Sequence, residues 1–320
     1  MALAILPLSS DNPLTKWPEG MGGELVPTRY VRYTAAGETS HGILEGDTIR
    51  QLSGDLFDNP QPTGKTVPLA GAKLLLPLDP YKVSKVIGVT TNFQPKDGPK
   101  RVSPHPGLFA KYAIGLVTHG DEIEMPPEHK VMHHEGEMVV VIGKEGRFIS
   151  EAEAPDYVFG VAIGNDVSDE TLYGERNGLA EPSRLPSKAN DTWSPLGQEI
   201  VAGLNYNDLN IIVRRDGEVV AEGRTSTMIN SVAYIISYLS QYMTLWPGDL
   251  IYMGTPPFVE GKRELAPGQT IEVEIEQIGV LSNKVVKQKA GIANPWWLAE
   301  MKRLPPPAPA EPPAPTPTTR

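Results

Sequence analysis

Between residues 26 and 75 short apolar runs alternate with turn residues, as in Tyr30-Val31-Arg32-Tyr33, Gly42-Ile43-Leu44 and Thr48-Ile49-Arg50-Gln51-Leu52. Such runs bounded by turns predict a small strand-rich module. A different texture begins at Lys85-Val86-Ile87-Gly88-Val89, and residues 138 to 142 form an unbroken apolar, β-branched run of the kind buried on both faces. Gly143 ends that run. Ser150 and Glu153 have capping-box spacing, which predicts a short helix finishing near Tyr157. A strand over residues 158 to 163 then delivers Asp166 at its C-terminal end. Asp216-Gly217 between two apolar runs is a hairpin signal. Ile229, Val232, Ile235, Ile236, Leu239 and Met243 recur at helical spacing, with Ser226 or Thr227 placed to cap the helix. Leu250-Ile251-Tyr252-Met253 predicts a strand ending at Gly254-Thr255-Pro256-Pro257, and residues 270 to 276 alternate as a last strand with a partner near 279 to 286. One good helix among mixed strands and many turns indicates a β-rich α+β fold rather than a doubly wound sheet.

The chain divides into a small N-terminal module (residues 1–79), a larger domain (80–292), a C-terminal segment (293–304) and a tail (305–320). Trp296-Trp297 is placed to anchor the chain end or a subunit contact. The tail has eight prolines in sixteen residues and reads as a disordered or polyproline extension.

Charge narrows the function classes. With 29 Lys plus Arg against 39 Asp plus Glu, the formal charge of -10 argues against nucleic acid as a partner. An anionic substrate stays open, because a bound cation and a few lysines reverse the field inside one pocket. The absence of cysteine excludes disulfides, thiolate zinc sites and a cysteine nucleophile, and fits a cytoplasmic protein. No run approaches the ~20 apolar residues of a membrane-spanning helix. The apolar opening Met1-Ala2-Leu3-Ala4-Ile5-Leu6-Pro7 lacks a basic leader and breaks at Pro7, so a secretory signal is not expected.

The candidate chemistry lies at His133-His134-Glu135-Gly136-Glu137. Carboxylates two residues apart on a strand share a face, and Asp166 can join them from the next strand. Three hard oxygen ligands suit Mg²⁺ or Mn²⁺, with Ca²⁺ as an alternative, rather than zinc. By spacing alone the pair also reads as a solvated strand face, and Asp166 as a turn residue. One of the two histidines is placed either to orient a carboxylate or to serve as a hydrogen-bonded structural residue.

Five ordered blocks then resemble the fumarylacetoacetate hydrolase family over roughly residues 80 to 290. They are Glu135-Gly136-Glu137 with its apolar run, Gly164-Asn165-Asp166-Val167-Ser168, Ser187-Lys188-Ala189-Asn190-Asp191, Gly223-Arg224-Thr225-Ser226-Thr227, and Pro247-Gly248-Asp249 with Gly254-Thr255-Pro256. The resemblance implies a mixed β-roll, Mg²⁺ or Mn²⁺ on Glu135, Glu137 and Asp166, and a homodimer. It implies Lys188 as a substrate or enolate contact, and Thr255, Lys111 and Asn92 as substrate-binding positions. The family's reactions share an enolate formed from a 2-oxo acid, so the leading expectation is hydrolysis of a C–C bond in a 2-oxo or 2,4-dioxo acid. The alternatives are isomerisation or decarboxylation of a dienedioate or oxo acid, or a weakly active metal-binding relative whose proline tail recruits a partner. The sequence departs from the family at Asn92-Phe93-Gln94-Pro95-Lys96-Asp97-Gly98-Pro99, where Lys96 and Pro99 replace the usual water-activating His and Glu. Lys96, His105 and His119 are the candidates to substitute. Tyr173 stands where the family has a substrate-contacting Gln.

Overall fold

A computed structural model describes residues 27–126, 131–170 and 185–289. Tyr173, Trp296, Trp297 and the proline tail lie outside the described residues. The largest sheet runs from one edge as Gln61–Pro68, Thr48–Ser53, Glu38–Glu45, Thr28–Ala35, Glu199–Ala202, Val158–Asn165, Gly136–Ile142, Leu250–Tyr252, Val86–Thr90 and Gly107–Lys111. The N-terminal strands continue this sheet, because Thr28–Ala35 pairs antiparallel with Glu199–Ala202. A second sheet has the order Glu218–Arg224, Asn210–Arg215, Thr270–Ile275, Gly279–Lys287, Glu122–Met125. The Asp216-Gly217 hairpin and the alternating last strand are both present in it. No helix among the described residues is long and apolar enough to cross a membrane.

Strand Gly136–Ile142 is buried along its whole length, and its alternation explains how. Met138, Val140 and Ile142 pack with Ile211, Val213, Ile271 and Val273 of the second sheet. Val139 and Val141 point the other way, into a cluster with Tyr30, Ile200, Leu250 and Tyr252. Two layers therefore sandwich the central strand, and its apolar run needs no polar face.

The sequence places the helix too early. It runs over Val232–Tyr242, and Ser231, not Ser226 or Thr227, caps it by accepting the Tyr234 N–H at 3.1 Å. Thr225–Thr227 is a single 3₁₀ turn instead. The reason is a competing partner: the Ile229 N–H donates to the Asn92 carbonyl at 2.6 Å and the Asn230 N–H to Asn92 Oδ1 at 2.9 Å. The capping box forms as expected, with Ser150 and Glu153 bonding reciprocally, but leads into a 3₁₀ turn over Ala154–Tyr157.

Candidate active site

The antiparallel ladder sets Gly136 opposite Asn165 and Glu137 opposite Gly164, so Asp166 arrives beside Glu135. Two bonds lock that corner: the Asp166 N–H to the Glu135 carbonyl at 2.8 Å, and the Glu135 N–H to Asn165 Oδ1 at 2.9 Å. Carboxylate oxygens of Glu135, Glu137 and Asp166 then all lie within 4.8 Å of one another, and all three residues are buried.

Gly136 explains why the motif is Glu-Gly-Glu. Its missing side chain faces the second sheet, where a Cβ would stand 2.6 Å from Val213 Cγ2 and 2.9 Å from Val273 Cγ1. Gly136→Ala is expected to destabilise the fold by about 1–3 kcal/mol through overpacking. It should also spread the two glutamates. Thermal melts and Mn²⁺ titration check both effects.

Two lysines meet the acidic group. Lys188, at the end of the short helix Leu185–Lys188, puts Nζ 2.8 Å from Glu135 Oε2, 2.6 Å from Ser168 Oγ and in contact with Asp166. Lys111 Nζ donates to Asp166 Oδ1 at 2.6 Å and to the Lys188 carbonyl at 2.7 Å. Burial pushes the Asp166 carboxyl up, but the two ammonium groups outweigh it and hold the group below the ordinary range. Glu137 has no such partner. Its Oε2 accepts the Gly254 N–H at 2.6 Å, and burial together with the Asp166 charge drives its carboxyl well above the usual value. Gly254 can supply that N–H because it holds φ at 90°.

These residues fit a divalent cation. The donors are all carboxylate oxygens, and one of them, Glu137, is buried without a direct ion pair among the described residues. No imidazole or thiolate belongs to the group, which disfavours zinc.

Glu135, Glu137 and Lys188 open onto a cavity of about 440 Å³ that Thr255, Phe258, Glu170, Arg101 and Arg263 also line. Thr255 Oγ1 is buried without a hydrogen-bond partner and so remains free for a ligand. The structure therefore gathers Glu135, Glu137, Asp166, Lys188, Lys111 and Thr255 in one place. Asn92 is elsewhere in function: its carboxamide is spent on the Asn230 and Met253 carbonyls and on two Asn230 donors, and it does not line the cavity. Asn92→Ala is expected to cost about 2–3 kcal/mol by leaving buried backbone groups unpaired. Chemical denaturation measures it. Lys96 is exposed and off the cavity wall. His105 is also exposed, its Nδ1 3.4 Å from the Tyr238 hydroxyl on the helix. His119 Nδ1 accepts the Ser282 N–H at 3.2 Å in the second sheet, which ties it to that strand. His134 is buried against Phe258 with ring centroids 5.0 Å apart, and burial lowers it to about 3, so it is neutral.

Sequence reasoning missed Arg263, Glu170, Arg101 and Phe258. Arg263 lies in Gly261-Lys262-Arg263-Glu264, which reads as a surface turn. Only the pairing of His133 with Glu264 brings it to the Glu135 carboxylate, which its guanidinium contacts.

Residues 85–286 match the family model for the fumarylacetoacetate hydrolase C-terminal domain. The chain belongs to the fumarylacetoacetate hydrolase family. Residues 28–77 match an Rv2993c-like N-terminal model. Among fumarylacetoacetate hydrolase relatives, the mitochondrial oxaloacetate tautomerase Fahd2a of Rattus norvegicus is 32% identical over 294 residues, spanning 86% of this chain and 88% of that one. The structure of 2-hydroxyhepta-2,4-diene-1,7-dioate isomerase from Mycobacterium marinum matches with a TM-score of 0.72 at 32% identity, covering 82% of this chain and 100% of that one. That of 5-carboxymethyl-2-hydroxymuconate delta-isomerase from Mycobacterium smegmatis matches with a TM-score of 0.73 at 31% identity, covering 81% and 100%. The fumarylacetoacetate hydrolase assignment agrees with the strand-rich α+β architecture described above.

Proposed function

We propose that this chain is a divalent-metal-dependent enzyme that moves a proton on the carbon beside the keto group of a 2-oxo acid, tautomerising or isomerising its substrate. The observation that carries this reading is the buried carboxylate group with Lys188 at its centre, in a cavity that no histidine lines among the described residues. Glu135, Glu137 and Asp166 would hold Mg²⁺ or Mn²⁺, which when bound supplies charge stabilisation for the oxyanion formed as the proton leaves. Lys111 keeps Asp166 ionised and so ready as a ligand. Lys188 holds an ammonium at the cavity wall, where it can donate to that oxyanion or pass a proton. The Thr255 hydroxyl is free to donate to a substrate carboxylate. The named activities of the tautomerase and isomerase relatives support the same class of step.

Hydrolytic C–C cleavage is the second reading, favoured by the Glu170 carboxylate on the cavity wall, a group able to activate water. Oxaloacetate, an acylpyruvate and a hydroxy-dienedioate, each offered to Mn²⁺-loaded protein, separate the two. Enol and keto forms followed by ultraviolet absorbance should interconvert with no cleavage. Release of pyruvate from the acylpyruvate, without tautomer exchange on the other two, would establish hydrolysis instead.

A further inference from the structure

We propose that the N-terminal module and the larger domain build a second ligand site, apart from the acidic cavity, that takes a free α-amino acid with an apolar side chain. A cavity of about 360 Å³ lies between them, within the size range of small-molecule sites. It shares no lining residue with the cavity at Glu135 and Glu137. The module supplies Arg32, His41 and Asp58, and the larger domain supplies Lys82, Val83 and the Pro247-Gly248 turn. Strand Leu250–Tyr252 starts just after that turn and runs towards Gly254, whose N–H holds Glu137. One strand therefore connects the two sites.

Three polar groups of this wall lack partners, and each lacks a different one. Arg32 and His41 stand directly opposite each other on the antiparallel strands Thr28–Ala35 and Glu38–Glu45, which puts their side chains side by side on one face. The half-buried Arg32 guanidinium makes no hydrogen bond or ion pair among the described residues. Asp55 does not neutralise it, because that carboxylate is taken up by the Phe57 N–H at 3.0 Å and by Lys82 at 3.2 Å. His41 Nε2 is buried without a partner, while the Pro77 carbonyl meets the other ring nitrogen. Burial keeps the imidazole uncharged, so Nε2 presents a lone pair that needs a donor. The Asp58 carboxylate also makes no ion pair among the described residues. A carboxylate for the fork of Arg32 and an ammonium for Nε2 and Asp58 complete all three. Leu56, Phe57, Leu78, Val83 and Pro247 supply the apolar remainder of the wall. A plain anion would face the carboxylates of Asp55, Asp58 and Asp79, and a plain amine would face the unpaired charge of Arg32. A zwitterion meets neither obstacle. A metal ion is not the occupant, because no three carboxylate or imidazole ligands converge here among the described residues.

The test titrates L-phenylalanine, 3-phenylpropanoate, which lacks its ammonium, and phenethylamine, which lacks its carboxylate, into Mn²⁺-loaded full-length protein by calorimetry. Phenylalanine should bind with a Kd below about 1 mM and at least about tenfold more tightly than either fragment, as charge-assisted bonds at both ends require. Arg32→Gln should bring phenylalanine to within about threefold of phenethylamine, and Asp58→Asn should cut its lead over 3-phenylpropanoate by about threefold. Arg32→Lys, which keeps the charge but loses the fork, should fall between wild type and Arg32→Gln. Lys188→Met, which alters only the acidic cavity, should leave the phenylalanine affinity within about twofold of wild type. Binding of phenylalanine weaker than about 1 mM, equal affinities for the three compounds, or wild-type affinity in Arg32→Gln overturns the second site. So does loss of binding in Lys188→Met, which would put the amino acid in the acidic cavity. None of these outcomes bears on the oxo-acid reading, which rests on other residues.

Discussion

Replacing Glu137 with glutamine is expected to lower the affinity for Mn²⁺ or Mg²⁺ at least about 100-fold, beyond what loss of a supporting residue around a metal site costs. The metal-free protein should at the same time melt no lower than wild type. Glu137 is 2% exposed, its carboxyl accepts only a backbone N–H, and burial together with the neighbouring Asp166 charge outweighs Lys188 and Lys111 and disfavours its ionised form. Glutamine keeps an oxygen for Gly254 and removes the repulsion from Asp166. The melting temperature of the apoprotein is expected to rise by a few degrees, equivalent to about 1 kcal/mol. Asp166→Asn should behave oppositely in its stability. It also weakens metal binding, but it strips Lys111 and Lys188 of a shared buried counter-ion and costs about 3 kcal/mol or more. Calorimetric metal titration and apoprotein melts on both variants check the pair. An unchanged Mn²⁺ affinity in Glu137→Gln would refute the metal assignment.

Lys188→Met should cut turnover of the best oxo acid by about 10²–10³-fold, the usual loss when a positioned donor to a developing oxyanion is removed. Mn²⁺ affinity should hold or increase, because the ammonium that now contacts Glu135 and Asp166 competes for the same oxygens. Methionine retains the packing of the side chain over the Phe109 ring, against which Nζ lies 4.6 Å from the centroid. The variant therefore separates chemistry from folding. If kcat stays within about fivefold of wild type, Lys188 serves only as a counter-ion, and the proton-transfer role passes to another group.

The metal-binding candidates were legible for a local reason. Glu135 and Glu137 are two residues apart, and the alternation of a strand forces them onto one face whatever else the chain does. The glycine between them and the apolar run after them signal a buried strand between two layers, which is where it lies. Asp166 was within reach because one connection separates its strand from theirs. The helix start was misread because Ser226 and Thr227 are good capping residues locally. Asn92, more than a hundred residues earlier in the chain, takes the amides of Ile229 and Asn230 and delays the first helical turn. Asn92 itself was read as a substrate contact, and nothing local discloses that its carboxamide is consumed by the backbone.

By itself the chain determined the strand-rich class, the central buried run and the acidic pair, because side-chain alternation and turn chemistry act over a few residues. Only the tertiary structure decided which cations meet those acids and what else lines the cavity. Lys111, Lys188 and Arg263 come from three distant segments. Charges in water carry almost no local conformational signature, so their pairing emerges only when sheet packing removes the solvent between them.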